Sequence, residues 1–398
     1  MAEVAPFRFG HTTRLVFAPG SSASLGREAA AVGAARALVV CDPGITRLGL
    51  AGRALESLRA AGITAAAFDG LSENPRDGEC CAAAEKARET GAQLIVGLGG
   101  GSAMDAAKAA AALATNGGTV KDWEDPRELE REPLPLLCVP TTSGTGSEVT
   151  FVAVITDEVN HYKMALRGQA LAPRAALLDP ELTVTMPPAL TAATGMDALS
   201  HAVEAFTCKA ANPVSDGLAL QAVRMIARHL RTAVADGDDL DARAGMLLGS
   251  TIAGMAFANS TVGAVHSLGE SLGGLYDTPH GVAIAVFLPH IFRFNAAADP
   301  GRHAEVARAL LDGEGAGDAA GTAEAGARTL EELARDIGIP ALAELPGVTP
   351  ADFAQLAETS AAAGCSLANP RPIDRDDYVA ILRRAYGEAA ESDAIGAR

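Results

Sequence analysis

The sequence has few basic residues, few cysteines and no long hydrophobic run. Its 398 residues include 32 Lys and Arg against 49 Asp and Glu, a formal net charge of −17. Nucleic acids and anionic membranes bind basic surfaces, so we expect neither as a partner. The six cysteines are scattered without C-x-x-C spacing, which predicts reduced thiols and a cytoplasmic location. No apolar stretch is long enough to cross a bilayer, and no signal peptide is expected.

A chain of this length can fold as two domains, each with its own core. In the first half, apolar strands alternate with helical segments. The three clearest strands are ARALVVCD (35–42), ITAAAFDGL (63–71) and AQLIVGLGG (92–100). This β-α-β-α-β order predicts a parallel sheet. The stretch 7–20, which precedes them, alternates well enough to predict a pair of strands.

The third strand runs into a glycine-rich turn, GGGSAMDAAK (99–108), at the start of a helix. Gly100 and Gly101 let the backbone approach an anion closely, and the first amides of the helix face the turn. Ser102 and Asp105 have the S-x-x-D spacing of a helix start. The segment lacks the final glycine of G-x-G-x-x-G, and a plain tight turn is an open alternative.

Two more features favour a bound dinucleotide. Asp42 ends the first of the three strands, where a carboxylate can accept hydrogen bonds from the hydroxyls of a ribose. The loop 141–150, TTSGTGSEVT, is dense in small hydroxyl residues, which suit contact with a pyrophosphate and a ribose. A hairpin turn is the alternative. The contacts are expected from Thr141, Thr142, Thr145 and Ser147.

Three histidines and one aspartate form a candidate metal site. Asp197 and His201 are four residues apart, so both side chains lie on one face of a helix. His266 and His280 follow in a glycine-punctuated segment, GAVHSLGESLGGLYDTPHG (263–281). Three imidazoles and one carboxylate suit Fe(II), and also Zn(II) or another divalent ion. For a lone histidine on an apolar helix, the alternative is a hydrogen-bonded core residue.

The segments TGMDALSHAVEA (194–205) and 263–281 resemble the metal-binding half of the iron-containing (group III) alcohol dehydrogenases in order, residue type and spacing. The string GGGS-x-x-D-x-x-K and the threonine loop resemble the coenzyme-binding half of the same family. The resemblance therefore covers nearly the whole chain, and it implies NAD as the coenzyme. It also places Asn74 and Lys163 close to the coenzyme. Taken alone, Asn74 is a turn residue and Lys163 a surface residue.

Beyond residue 187 the pattern is helical almost to the end. Helices are expected over 189–210, 216–235 and 240–259. We expect an α/β dinucleotide-binding domain over 1–187, with a Rossmann-like parallel sheet, and an all-α metal-binding domain over 188–398. The low-complexity segment EGAGDAAGTAEAG (314–326) is expected to be a surface loop.

The chain departs from the family at Glu270. The family usually has H-x-x-x-H here, whereas this chain has His266-Ser-Leu-Gly-Glu270. Glu270 lies one helical turn beyond His266, so we expect it to point towards the metal and to contact substrate or water. A fifth metal ligand and a tolerated substitution are the alternatives. Glu204, three residues after His201, is interpreted as a solvated helix acid, and contact with a metal ligand is the alternative.

These features predict an NAD-dependent, metal-dependent alcohol dehydrogenase or aldehyde reductase for a small primary alcohol or aldehyde. A homodimer or higher homo-oligomer is expected. The alternative is a dehydroquinate-synthase-like or glycerol-dehydrogenase-like enzyme on the same architecture. A dehydroquinate-synthase-like enzyme would need clustered basic residues for a phosphorylated substrate, and the helical half shows none. A structural metal in a non-catalytic protein is the other alternative, but such sites are usually closed and rich in cysteine.

Overall fold

The computed structural model describes residues 5–72, 74–160, 162–313 and 317–388. The chain divides into two compact units. What we call the sheet unit comprises residues 9–186 and 238–258, and what we call the helical unit comprises residues 1–8, 187–237 and 259–398. No helix within the described ranges is long and apolar enough to cross a membrane.

Most strands of the sheet unit belong to one parallel sheet. The strands are β1 (Arg14–Phe17), β2 (Arg36–Val40), β3 (Thr64–Phe68), β4 (Leu94–Gly99), β5 (Leu136–Pro140), β6 (Val152–Asp157), β7 (Tyr162–Arg167) and β8 (Ala175–Leu178). Six of them pair in the order β1-β8-β5-β4-β2-β3, while β6 and β7 form a separate antiparallel pair. The predicted parallel sheet is confirmed. The predicted pair of strands in 7–20 is wrong, because β1 pairs instead with the distant β8.

The central strands are apolar because both faces of the sheet are covered by helices. Successive side chains of a strand point to opposite faces. In β2, Leu38 and Val40 lie in one hydrophobic core, and Ala37 and Val39 lie in the other. The flanking helices are α1 (Leu25–Ala31), α2 (Pro43–Arg47), α3 (Leu50–Ala60), α4 (Asp77–Thr90) and α5 (Gly101–Asn116). Helices α4 and α5 bury their apolar faces in the first core, and α1 and α3 bury theirs in the second.

The sheet topology brings three turns to one edge. Strands β5, β4 and β2 are neighbours and run parallel, so their carboxyl ends lie side by side. Asp42 follows β2, the glycine turn follows β4, and the threonine loop follows β5. The carboxyl edge of an open parallel sheet is where such folds bind ligands. The topology therefore collects the predicted dinucleotide residues at one edge of the sheet unit.

Helices α6 to α15 follow the sheet. They are α6 (Pro188–Thr207), α7 (Pro213–Ala235), α8 (Leu240–Ala258), α9 (Ala264–Tyr276), α10 (His280–Ala296), α11 (Pro300–Leu310), α12 (Ala319–Asp336), α13 (Phe353–Ala362), α14 (Gly364–Ala368) and α15 (Arg375–Tyr386). The three helices predicted after residue 187 are confirmed as α6, α7 and α8, with ends shifted by a few residues. Helix α8 lies within the sheet unit. Helix α6 is buried along most of its length and packs against α7 and α10.

Gly146 and Gly254 let α8 pack tightly against the threonine loop. A Cβ on Gly254 would lie 2.9 Å from the Cα of Gly146, so neither position has room for a side chain. Gly146 also has a φ of 62°, in the left-handed region that glycine adopts without strain. Helix α8 thereby supports the loop within the sheet unit.

The low-complexity segment 314–326 is not a loop throughout. Helix α12 begins at Ala319, and Asp318 caps it by accepting a hydrogen bond from Gly321 N at 2.8 Å. The predicted loop is therefore wrong from residue 319 onward, while residues 314–316 lie outside the described residues. Alanine-rich composition favours a helix once a cap starts it.

Candidate functional site

One face of α6 carries three buried polar side chains, and the metal site is built on it. Asp197, His201 and Glu204 follow one another at spacings of four and three residues, which places them on the same face. All three are buried. His266 projects from the first turn of α9, and His280 is the first residue of α10. The helical unit therefore brings the four predicted metal ligands together from three helices.

The nitrogen atoms of three histidines surround one oxygen of Asp197. The distances from Asp197 Oδ1 to Nε2 are 3.8 Å for His201, 3.7 Å for His266 and 3.6 Å for His280. These distances are too long for hydrogen bonds. Ligand atoms around one tetrahedral zinc-sized ion lie about 3.3 Å apart, since each bond is about 2.0–2.1 Å. The three nitrogen atoms therefore lie at distances from Asp197 Oδ1 that suit ligands of one ion and not hydrogen-bond partners of the carboxylate.

Burial makes this arrangement costly unless an ion is bound. Asp197 Oδ1 and His266 Nε2 are buried atoms with no hydrogen-bond partner among the residues that the structure describes. Burying a polar atom without a hydrogen-bond partner destabilises the folded state by about 1–3 kcal/mol. A divalent cation would satisfy both atoms at once. The donor set of one carboxylate and three imidazoles fits Fe(II) or Zn(II).

The pKa values of Asp197 and His201 are set by burial and by the charged groups next to them. Burial alone would raise the pKa of Asp197, but His201, His280 and His266 outweigh it, so the pKa is lowered. Burial lowers the pKa of His201 to about 4. At neutral pH, Asp197 is therefore ionised and His201 is neutral. Both are in the state that a metal ligand needs.

Glu204 contacts a metal-ligand residue directly, so its interpretation as a solvated helix acid is wrong. Its Oε2 lies 2.5 Å from His266 Nδ1, and its Oε1 accepts a hydrogen bond from Val265 N at 2.8 Å. Burial alone would lower the pKa of His266, but the charge and hydrogen bond of Glu204 raise it, with smaller contributions from Asp197 and Glu270. The seven-residue spacing from Asp197, two helical turns, could have indicated in the sequence that Glu204 lies on the same face as the predicted ligands.

Glu270 lies on α9, one turn beyond His266, and its side chain is exposed. It is close enough to His266 for its charge to raise the pKa of that imidazole. Asp197, His201 and His266 form the group of buried ligand atoms that lie within 4.8 Å of one another in the described residues. Neither Glu270 nor His280, which is also exposed, is a member of that group.

The glycine turn of the sheet unit is closed by the threonine loop. Thr141 N donates to Gly99 O at 2.9 Å. A Cβ on Gly101 would lie 2.6 Å from Thr145 Cγ2, and one on Gly100 would lie 3.3 Å from Thr142 Oγ1. Gly100 is the N-cap of α5 and has no side chain to cap the helix. Ser102 lies in the first turn of α5, where backbone amides have no partner within the helix.

Asp105 and Ser147 bind each other beneath this surface. Ser147 Oγ donates to Asp105 Oδ1 at 2.5 Å, and Val154 N donates to Asp105 Oδ2 at 3.0 Å. Lys108, one turn further along α5, is fully buried. Its Nζ donates to Ser147 Oγ at 2.9 Å and to Thr150 Oγ1 at 2.8 Å. These contacts fasten α5 to the threonine loop. The sequence analysis assigned no role to Lys108. Its position three residues after Asp105, on the same helix face, could have indicated one.

Asp42 and the pair Asn74–Lys163 occupy separate places in the sheet unit. Asp42 Oδ1 accepts hydrogen bonds from Gly44 N at 2.7 Å and Ile45 N at 3.2 Å, which caps α2. Asn74 lies in the turn before α4, and Lys163 lies on β7. Lys163 Nζ is 3.5 Å from Asn74 Oδ1, and both residues are exposed. The structure thus brings together two residues that are 89 positions apart in sequence.

Comparisons with known proteins cover both units. The family model of iron-containing alcohol dehydrogenases matches residues 12–180, and the model of the C-terminal part of the Fe-containing alcohol dehydrogenase family matches residues 191–386. The 1,3-propanediol dehydrogenase of Klebsiella pneumoniae is 40% identical over 372 residues, which are 93% of this chain and 96% of that protein. The NAD-dependent methanol dehydrogenase of Bacillus methanolicus is 36% identical over 370 residues, or 93% and 97% of the two chains.

Solved structures agree with these matches. The crystal structure of a 1,3-propanediol oxidoreductase is similar with a TM-score of 0.92 at 39% identity, covering 96% of this chain and 100% of that one. The sulfoacetaldehyde reductase from Bifidobacterium kashiwanohense, solved in complex with NAD+, is similar with a TM-score of 0.89 at 30% identity. That match covers 96% of this chain and 99% of the other.

Proposed function

Because this chain belongs to the iron-containing alcohol dehydrogenase family, and is an NAD-dependent and metal-dependent alcohol dehydrogenase, we propose that it interconverts a small primary alcohol and its aldehyde. Two of the relatives are named for 1,3-propanediol and for methanol, and both of these are small primary alcohols. The matches favour this activity over the dehydroquinate-synthase-like and glycerol-dehydrogenase-like alternatives.

The observation that carries the proposal is the convergence of three imidazole Nε2 atoms on Asp197 Oδ1. We assign Asp197, His201, His266 and His280 as the ligands of one divalent ion. When bound, the ion acts as a Lewis acid towards the alcohol oxygen, and NAD accepts the hydride. Asp197 supplies the single negative charge of the ligand set. Because the three imidazoles would be neutral ligands, a divalent ion held by this set would keep about one net positive charge.

Coenzyme binding is assigned to the carboxyl edge of the sheet. The first-turn amides of α5, at Gly101 and Ser102, suit the pyrophosphate, since a helix N-terminus attracts anions. Half-buried Thr142 and Thr145 lie against these glycines and can donate hydroxyl hydrogens. Asp105 and Ser147 bind each other, so we assign them to holding the threonine loop in place.

Steady-state NADH formation tests this function. The purified protein, loaded with Fe(II) or Zn(II), is assayed with methanol, ethanol, 1-propanol and 1,3-propanediol, and in reverse with the matching aldehydes. Metal-dependent turnover of at least one primary alcohol is expected. A secondary alcohol of equal carbon number, 2-propanol, is the matched control. Turnover confined to 2-propanol, or turnover unaffected by metal removal, would contradict the proposal.

We further propose that the chain forms a homodimer, and support comes from the edge strand β1. It pairs with β8 on one side and has no second partner strand within the described residues. Leu15 and Phe17, which alternate along it, are 37% and 41% exposed. An open edge with exposed apolar side chains is a template for pairing with another strand. A second copy of the same edge can supply that strand around a two-fold axis.

A further inference from the structure

Glu204 has no place in the proposed ligand set, yet it is one of the most constrained groups of the helical unit. Its side chain is 4% exposed and both of its carboxylate oxygens have partners. One oxygen lies 2.5 Å from the Nδ1 of His266. The other accepts the backbone amide of Val265 at 2.8 Å. A buried carboxylate with these two partners needs an explanation beyond solubility, because desolvating a charge is unfavourable.

The contact with Nδ1 decides which ring nitrogen of His266 is available. A neutral imidazole carries one hydrogen, and a carboxylate at Nδ1 holds that hydrogen there. The lone pair is then left on Nε2, the atom that lies 3.7 Å from Asp197 Oδ1. Carboxylates that contact metal-binding histidines in this way fix the ring and raise its basicity as a ligand. The geometry of Glu204 matches that arrangement.

The contact with Val265 N fixes the position of the helix that carries His266. The first amides of α9 have no acceptor within the helix. Glu204 accepts one of them, and Asn369 Oδ1, at 3.4 Å from Ala264 N, is next to another. Gly263 leaves room for the Glu204 carboxylate to reach the start of α9, since a Cβ there would lie only 3.0 Å from Glu204 Oε1. Glu204 thus joins the start of α9 to the same face of α6 that bears Asp197.

We propose that Glu204 is a positioning residue that orients His266 and sets the affinity of the site for its divalent ion. This inference rests on the proposed metal site. It assigns three roles to one face of α6: Asp197 and His201 as ligands, and Glu204 as the group that holds a third ligand from another helix. Glu204 acts through His266, and its own oxygens point to the imidazole and the backbone instead of joining the ligand atoms around Asp197 Oδ1.

Metal affinity of the full-length protein tests the proposal. Zn(II) is removed with a chelator, and its dissociation constant is measured by competition with a chromophoric chelator for the wild type, Glu204→Ala and Glu204→Gln. Glu204→Ala is expected to weaken Zn(II) binding by about 10- to 100-fold. Glu204→Gln is expected to lose less, because its amide oxygen can still accept the Nδ1 hydrogen. If Glu204→Ala fails to fold, Glu204→Gln and Glu204→Asp provide the comparison.

Asn369→Ala is the matched control. It removes the neighbouring contact to α9, at Ala264 N, while leaving the contact between Glu204 and the imidazole intact. Its melting temperature should fall and its Zn(II) affinity should stay at the wild-type value. Equal loss of affinity in Asn369→Ala and Glu204→Ala would overturn the positioning role, as would unchanged affinity in both Glu204 variants. Absence of Zn(II) binding by the wild type would overturn the proposed metal site itself, and the positioning role with it.

Discussion

Asp42 caps a helix and is proposed to select the coenzyme, and substitution can separate the two roles. Its Oδ1 caps α2, and a Cβ on Gly99 would lie 3.6 Å from its Oδ2, so the carboxylate lies beside the glycine turn. A negative charge there repels the 2′-phosphate of NADP(H) and favours NAD(H).

Asp42→Gly should shift the ratio of kcat/KM for NAD(H) over NADP(H) towards NADP(H). The shift should be about five- to tenfold, since relieving one like-charge contact in water is worth ~1 kcal/mol. Asp42→Asn is the control that keeps a capping side chain and removes the charge, and it should shift the ratio in the same direction. A wild-type enzyme that already prefers NADPH would contradict the assignment.

Glu270 stands where the family resemblance predicts a histidine, and it is exposed on the helix of His266. We expect it to bind substrate or water, not the metal. Glu270→Gln should therefore retain the full metal content, because no ligand is lost, and should change the Michaelis constant for the alcohol or the pH profile of kcat. Metal analysis together with steady-state kinetics provides the check. Loss of metal would identify a ligand, and unchanged kinetics would identify a tolerated substitution.

Residue types and spacing could predict a candidate set of metal ligands but not the residues that pack around it. Asp197 and His201 share a helix face by spacing alone, and His266 and His280 follow from the family resemblance. Glu204 looks like any helix acid until α9 is packed against α6. The sequence around Lys108 does not show that its ammonium group donates hydrogen bonds to Ser147 and Thr150. Contacts between distant segments decide such roles, and spacing along one segment carries no information about them.

At the scale of elements, Glu148 joins the threonine loop to α8 by a fully buried hydrogen bond. Thr251 Oγ1 lies 2.6 Å from Glu148 Oε1 and 3.0 Å from Leu247 O. Burial raises the pKa of Glu148, and the hydrogen bond that Thr251 donates, the backbone amide of Glu148 and the charge of Lys108 offset part of that increase.

The pH dependence of stability tests the raised pKa of Glu148. A carboxyl whose pKa is raised by folding favours the folded state at low pH. That advantage is lost as the pH rises from the pKa of the carboxyl in the unfolded chain, about 4.3, through its higher pKa in the folded protein. Glu148→Gln keeps a neutral donor, so its melting temperature should match the wild type near pH 4.5 and exceed it by about 2 °C or more at pH 8. Melting curves at both pH values provide the measurement. A lower melting temperature for Glu148→Gln at pH 8 would contradict a raised pKa for Glu148.

The order of the elements was predictable, whereas their partners were not. Alternating apolar strands and helices predict a parallel sheet. Each helix carries the chain back to the end of the sheet where the previous strand began, so the next strand runs in the same direction. The partner of β1 could not be predicted, because β8 lies about 160 residues later and local alternation carries no information about it. Composition also failed at α12, where alanine and a capping aspartate outweighed the glycines.

At the scale of the whole molecule, the proposed dimer makes a prediction about the outer edge of β1. Arg14 N donates to Arg174 O, towards β8, so the amides of Leu15 and Phe17 point outward. Leu15→Pro would remove one outward donor without disturbing the pairing with β8. It should convert a dimer into a monomer in light scattering after size-exclusion chromatography. Leu15→Thr keeps the amide and should remain a dimer. A monomeric wild type would contradict the proposal.

The central claim is that one divalent ion, held by Asp197, His201, His266 and His280, makes this chain an alcohol dehydrogenase. His280 offers the cleanest test, because its side chain is 49% exposed and its removal leaves no buried cavity. The measurement is metal content per chain together with NADH formation, for the wild type, His280→Ala and the control His229→Ala on α7. We predict one ion per active chain in the wild type and the control, and loss of both ion and activity in His280→Ala. Full metal content in His280→Ala, or an active wild type without metal, would contradict the account.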